Sequence, residues 1–151
     1  MILNNLIKFI NDEYYNVINE NDYRGFHKAP SPDSEDAPMY NLTNIYPDNI
    51  YSDKAVKLYG VYRDYRDVQA INVIQSAKDN PNKKIKIYRA VPLNKNITEI
   101  NNGDWVTTVK DYAKEHGRSR LHNKYKILTK TVFAKNLYNE GNSIFEWGYY
   151  I

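Results

Sequence analysis

Cysteine is missing from all 151 residues, which excludes disulfides, thiolate catalysis and cysteine-based zinc sites and suits a reducing cytosol. Long apolar runs are missing too: no stretch approaches the roughly 18 residues a membrane span needs, and the first residues lack the basic-then-apolar layout of a signal peptide. There is no internal repeat, no GxGxxG, no Walker loop and no HExxH, so the common dinucleotide, P-loop and zinc-protease signatures are absent and no metal site is expected. Tryptophan is scarce, with 2 residues against 15 tyrosines. Asparagine, isoleucine, lysine and tyrosine dominate, a mixture that AU-rich codons produce. Tyrosine richness therefore counts as a binding signal only where a tyrosine stands beside another functional residue. What is present, 42% hydrophobic residues with mixed charge, suffices for a single globular domain over residues 1 to 151 with one core. The expectation is a soluble, cytoplasmic protein with no membrane partner.

Charge is unevenly spread. Residues 12 to 53 carry nine acids and two bases, a formal charge of −7, whereas residues 110 to 135 carry eight bases and two acids, a charge of +6. Such halves attract each other within one fold or face partners of opposite sign. A phosphate-bearing ligand near the basic half is one consequence; ordinary solvated faces are the other.

The hydrophobic pattern divides the chain at about residue 82. Residues 2 to 18 place Ile2, Leu6, Phe9, Ile10 and Val17 near helical spacing, predicting an amphipathic opening helix. Residues 20 to 50 lose periodicity, collect prolines among acids and asparagines, and read as a long loop. Ser52 and Asp53 can cap a short helix through Tyr59, and Asp67 can start another that ends at Asn80-Pro81. From Lys84 the period changes to two. Strands are predicted from Lys84 to a stop at Pro92, over residues 104–108 after an Asn102-Gly103 turn, over residues 125–134, and over residues 143–150. A helix over residues 110–116, with Gly117 as its C-cap, interrupts them. Helices first and strands afterwards argue for an α+β fold: a helical, loop-rich part over residues 1–82, then a β-rich part over residues 83–151 with a mixed or antiparallel core.

Three polar groups interrupt these strands. Arg89 lies within Ile87-Tyr88-Arg89-Ala90-Val91, a hydroxyl pair ends Gly103-Asp104-Trp105-Val106-Thr107-Thr108, and Glu146 lies within Phe145-Glu146-Trp147-Gly148-Tyr149. A core wants apolar residues there and a turn wants glycine or asparagine, so a site is the economical explanation. Each has an ordinary counterpart: a salt-bridged strand glutamate, an arginine snorkelling from a sheet edge, a routine strand threonine.

The series Tyr88-Arg89-Ala90-Val91-Pro92, Gly103-Asp104-Trp105-Val106-Thr107, Tyr112-Ala113, His116-Gly117 and Glu146-Trp147-Gly148-Tyr149 resembles the Arg, Ser/Thr and Glu motifs of ADP-ribosyltransferase-like domains, as found in phage head-morphogenesis and polyvalent proteins. The resemblance spans roughly residues 85 to 150. It implies two small facing β-sheets gripping NAD, with the N-terminal helical part choosing the target. It also implies a phage-encoded enzyme that transfers ADP-ribose from NAD to a host macromolecule in the host cytoplasm as an anti-defence factor. The acceptor would be a host protein, or else a nucleic acid. Glu146, Arg89 and Thr107 would be catalytic, and Tyr88, Arg89, Trp105, Thr107, Thr108, Tyr112 and His116 would bind NAD.

The chemistry asks for these residue types. Breaking the nicotinamide–ribose bond leaves an oxocarbenium-like cation akin to that of glycoside hydrolysis. A carboxylate such as Glu146 stabilises that charge more than the ground state, with Phe145 and Trp147 walling the pocket or lying on the opposite sheet face. Arg89 supplies a planar fork for pyrophosphate or ribose. A threonine hydroxyl orients the glutamate and binds ribose, while the Tyr112 ring can stack on nicotinamide. Two departures matter. Ile144 stands two positions before Glu146, where transferases that modify arginine carry an acid or amide, and Thr107-Thr108 replaces the serine-rich middle motif. Two rival functions fit parts of the chain: a non-catalytic inhibitor or binder on the same scaffold, and a small nuclease using His116 and His122 as an acid–base pair.

Overall fold

Residues 28–33 and 35–151 are described by the computed structural model; the helix expected over residues 2 to 18 lies outside them. In chain order they form strand β1 (Ala37–Pro38), a 3-10 turn (Asp48–Tyr51), helices α1 (Ala55–Tyr59) and α2 (Tyr65–Ala77), strands β2 (Lys84–Pro92) and β3 (Trp105–Val106), helix α3 (Lys110–Arg120), and strand β4 (Tyr125–Phe133). A second 3-10 turn (Ala134–Asn136) leads into β5 (Leu137–Asn139) and then β6 (Trp147–Tyr149). One sheet runs β1-β5-β6-β3 and the other pairs β2 with β4. Every described pairing is antiparallel, so the fold is α+β as expected. Among the described residues no helix is long and apolar enough to cross a membrane.

The two-period pattern after Lys84 does what it predicts. Ile85, Ile87 and Val91 point into the core while Lys84 and Lys86 stay exposed, because successive strand residues face opposite ways. The two sheets meet at one place: Tyr88 N–H donates to Thr107 O at 2.8 Å, and Thr107 N–H donates to Tyr88 O at 3.0 Å. That bridge sets the strand bearing Arg89 beside the segment bearing both threonines.

Helix α2 buries Ala70, Ile71, Ile74 and Ala77, an i, i+1, i+4, i+7 stripe; each fully buried isoleucine contributes about 1.5–3 kcal/mol. It begins earlier than expected. Asp64 is its N-cap, accepting from Arg66 N–H at 2.9 Å, while Asp67 turns back on the preceding loop. Segment 28–50 differs most from expectation. It supplies β1 and a 3-10 turn and sends Met39, Leu42, Tyr46 and Ile50 into the core. Its anchors stand 3, 4 and 4 positions apart, but Pro38 and Pro47 interrupt the backbone, so the segment wraps the core in turns rather than as one helix.

Three further boundaries move. Gly117 lies inside α3 rather than after it, since a β-carbon there would sit 2.4 Å from the Tyr125 ring: the glycine lets β4 pack closely on the helix. β5 was not expected. Residues 143–146 are not strand, with bends at Ile144 and Phe145, so Glu146 immediately precedes β6 instead of lying within a strand. Gly148 on β6 has a similar role to Gly117, because a β-carbon there would meet the Pro30 carbonyl oxygen at 1.9 Å. The segment at Pro30 thus lies directly across β6.

Candidate functional site

Glu146 is held from both sides of its peptide. Asn139, fully buried on β5, donates its side-chain amide to Ser143 O at 2.7 Å and Glu146 O at 3.3 Å, while its Oδ1 accepts from Gly141 N–H at 2.7 Å. One buried amide therefore shapes the whole loop before Glu146. On the carboxylate itself, Oε1 accepts from the Tyr112 hydroxyl at 2.6 Å. Burial raises the Tyr112 pKa, and the hydrogen bond to Glu146 and its charge raise it further, so the phenol remains a donor at any physiological pH. The Tyr112 ring stacks on Phe145, with centroids 5.0 Å apart and planes within 8°. Phe145 thus walls the site, whereas Trp147 is fully buried and donates its indole N–H to Ile144 O.

Tyr112 is on α3, and His116 lies one turn further along the same face. Burial lowers the His116 pKa; the Glu146 charge opposes that shift and the Arg89 charge adds to it. His116 is nevertheless exposed at the surface, and the charges acting on it are those of Glu146 and Arg89. The single imidazole thereby reports that the late carboxylate and the early guanidinium share one neighbourhood.

Arg89 is itself oriented. Its Nη1 lies 2.5 Å from Oδ1 of Asp104, whose side chain is 1% exposed, and Asp104 Oδ2 accepts from Asn101 N–H at 2.8 Å. The aspartate expected to serve the turn after Asn102-Gly103 does so and also fixes the guanidinium. Thr107 Oγ1 accepts from Val109 N–H at 3.2 Å, where α3 begins, so its hydroxyl already has a local task. Thr108 is different: its Oγ1 is buried with no hydrogen-bond partner. An orphaned buried hydroxyl costs stability unless something satisfies it, and a polar ligand in the cleft is a fitting partner.

The structure therefore brings Arg89, Tyr112, His116 and Glu146 into one neighbourhood, whereas the bridge sets only the backbone of the threonine segment beside the Arg89 strand: Thr107, opposite Tyr88, shares the Tyr88 face rather than the Arg89 face. Tyr88 and Trp105 are placed by the sheets. Tyr88 joins them through its backbone and sends its side chain from the face opposite Arg89, while Trp105 is half-buried across from Gly148. His122 follows α3 in a left-handed turn at φ 52°, and the geometry pairs His116 with Glu146 and Arg89 rather than with a second histidine.

Sequence inspection missed a fourth wall. Tyr62 sits edge-on to Phe145 at 5.2 Å and to Tyr112 at 6.3 Å, with the Arg66 guanidinium 3.7 Å over its ring. Burial raises the Tyr62 pKa; Arg66 opposes, and the charges of Glu115 and Glu146 reinforce, which places the phenol within reach of the site. Its loop is clamped by Asp67, 1% exposed, which accepts from the N–H groups of Val61, Tyr62 and Arg63 at 3.0, 3.2 and 2.7 Å. The signal was present: an Asp sits at a helix start with no cap to make, because Asp64 already makes it. Tyr65, at the first turn of α2, also donates its hydroxyl to Asp111 on α3, tying the two helices that frame the site. No protein-family model, curated protein or solved structure matches this chain.

Proposed function

We propose that this chain is an NAD-dependent ADP-ribosyltransferase with its fold of the corresponding two-sheet type, phage-encoded and acting on a macromolecule in the host cytoplasm. The observation that carries the reading is the Tyr112 hydroxyl bond to Glu146 at 2.6 Å, on a helix whose His116, one turn on, feels the charges of both Glu146 and Arg89, which favours a carboxylate and a guanidinium acting on one ligand. In this reaction the bond from ribose C1′ to the nicotinamide nitrogen breaks, nicotinamide leaves with the bonding electrons, and an acceptor nucleophile forms the new bond to C1′ as its proton departs. Glu146 stabilises the cation that develops at C1′. Tyr112 holds one carboxylate oxygen, so the carboxylate is aimed before substrate arrives and reorganisation costs little. Arg89, held in place by Asp104, supplies the positive charge that pyrophosphate requires. The buried Thr108 hydroxyl awaits a polar partner, and the Tyr112, Phe145 and Tyr62 rings exclude water from one side.

The test is incubation with NAD labelled in its adenylate phosphate and a bacterial lysate. Label is expected in a macromolecular fraction in a time- and enzyme-dependent manner. Release of free ADP-ribose with no labelled macromolecule would make the chain a hydrolase, and untouched NAD would leave the binder reading.

A further inference from the structure

Building on the transferase reading, we infer that the acceptor is a nucleic acid, held by a basic ledge that continues the site along α3 and into β4. Residues 118–126 read Arg-Ser-Arg-Leu-His-Asn-Lys-Tyr-Lys: four bases, one histidine and no acid in nine positions. Arg118, Ser119, Arg120, His122, Asn123 and Lys124 are all exposed. Tyr112, His116 and Arg120 follow one another at i, i+4 and i+8, so the ledge begins on the helix face that presents Tyr112 to Glu146. A strand of phosphates lying on the ledge would lead a nucleotide towards the carboxylate.

Three features favour phosphates over an acidic protein surface. Of the large exposed hydrophobic side chains of the described residues, Leu93 alone borders the ledge, its N–H bonding Lys124 O at 3.1 Å, while Leu58, Val61, Tyr65, Val68, Phe133 and Ile151 are not in the run. The ledge thus has one apolar neighbour rather than the cluster of anchors on which protein interfaces depend. Tyr125, the ring in the run, is spent on packing over Gly117. What remains are charged and small polar donors, the residues that contact nucleic-acid backbones. The bases also exceed what the helix needs. Arg118 and Arg120 in the last turn complement the negative end of the α3 dipole, but Lys124 and Lys126 lie beyond it. Arg118 meets Glu115 at 3.2 Å with both side chains half exposed, and such a surface pair yields readily to a better anion.

The experiment uses the full chain, a labelled single-stranded 20-nucleotide DNA, the same sequence as RNA, and polyglutamate as a rival polyanion. Binding is followed by fluorescence anisotropy from 50 to 300 mM salt. Wild-type protein is expected to bind an oligonucleotide with a slope of log K against log salt of about −2 to −3, the value for three or four phosphate contacts on a single strand. The fourfold variant Arg118→Ala, Arg120→Ala, Lys124→Ala, Lys126→Ala should bind at least tenfold more weakly at 50 mM salt, with a slope shallower by about 2. Its thermal shift with NAD should be unchanged, and its melting temperature should fall by no more than a few degrees, the scale of losing two charges at a helix C-terminus. The pair Lys124→Ala, Lys126→Ala, which leaves the helix intact, should lose about half of that slope. With labelled NAD, label should enter the oligonucleotide in wild type and not in the fourfold variant. Absence of oligonucleotide binding at 50 mM salt, equal binding by the variant, preference for polyglutamate, or label entering protein instead would overturn the inference and leave the transferase reading intact. A chain that neither binds nor consumes NAD would overturn the reading beneath it.

Discussion

Replacing Glu146 with glutamine is expected to slow ADP-ribosyl transfer by roughly a hundredfold to a thousandfold, the scale seen when one preorganised electrostatic stabiliser is removed from a transition state, while NAD binding persists. The substitution keeps shape and keeps an acceptor for the Tyr112 hydroxyl, which now bonds Oε1 at 2.6 Å. The Asn139 contacts reach the Glu146 backbone and survive as well. Only the charge goes, and it matters most when the ribose carbon becomes cationic. Single-turnover transfer rates, read alongside the thermal shift with NAD, separate the two effects. An unchanged rate removes Glu146 from catalysis. Activity spared by Glu146→Gln and abolished by His116→Ala would mark acid–base chemistry at histidine and a different reaction.

The largest effect on stability is expected at Asp67, remote from the chemistry. Asp67→Ala should destabilise the fold by about 3–5 kcal/mol, since three backbone donors lose a carboxylate acceptor and hydrogen bonds to charged groups are each worth about 1.5–3 kcal/mol without adding fully. The melting temperature should fall on the order of 10 °C for a domain of this size. The loop it holds includes Arg63 at φ 59°, a left-handed conformation that costs energy for a residue with a side chain, so nothing local will keep it once the clamp is gone. Tyr62 would then leave its edge-on seat against Phe145 and Tyr112. Asp67→Asn should fall between the two, because one side-chain oxygen cannot replace a pair that together accept from Val61, Tyr62 and Arg63. Thermal or urea denaturation reads this directly. A change under 1 kcal/mol would show that the loop has another anchor.

How much of this was visible in the sequence depends on whether a residue's task leaves a periodic trace. The long strands did: Ile85, Ile87 and Val91 alternate with exposed neighbours, and the α2 stripe repeats at helical spacing. Arg89 and Glu146 stood out because each breaks an apolar pattern. The placement of Tyr112 on a short helix was also legible, though its bond to Glu146 was not. Segment 28–50 concealed Met39, Leu42, Tyr46 and Ile50 because they lie among Pro38, Pro47 and asparagines, which read as loop whatever the spacing of the apolar residues. Asp104 and Asp67 look like turn and cap residues, which sequence logic assigns to local hydrogen bonds; their partners Arg89 and the 61–63 backbone become apparent only in three dimensions. Asn139 opens an Asn-Glu-Gly-Asn run that looks like loop, yet it is fully buried, and a buried amide must satisfy its polar atoms. Gly117 looked like a helix stop because its other use, admitting the Tyr125 ring, depends on a strand that comes later in the chain.

Calorimetric titration of NAD into the wild-type chain and into Arg89→Ala tests the convergence of guanidinium and carboxylate most directly. The proposed function predicts one NAD site per wild-type chain. Removing a guanidinium that bonds pyrophosphate should weaken binding by about tenfold to a hundredfold, as for the loss of a hydrogen bond to a charged group. Absence of binding to the wild type, or equal affinity in both proteins, would contradict it.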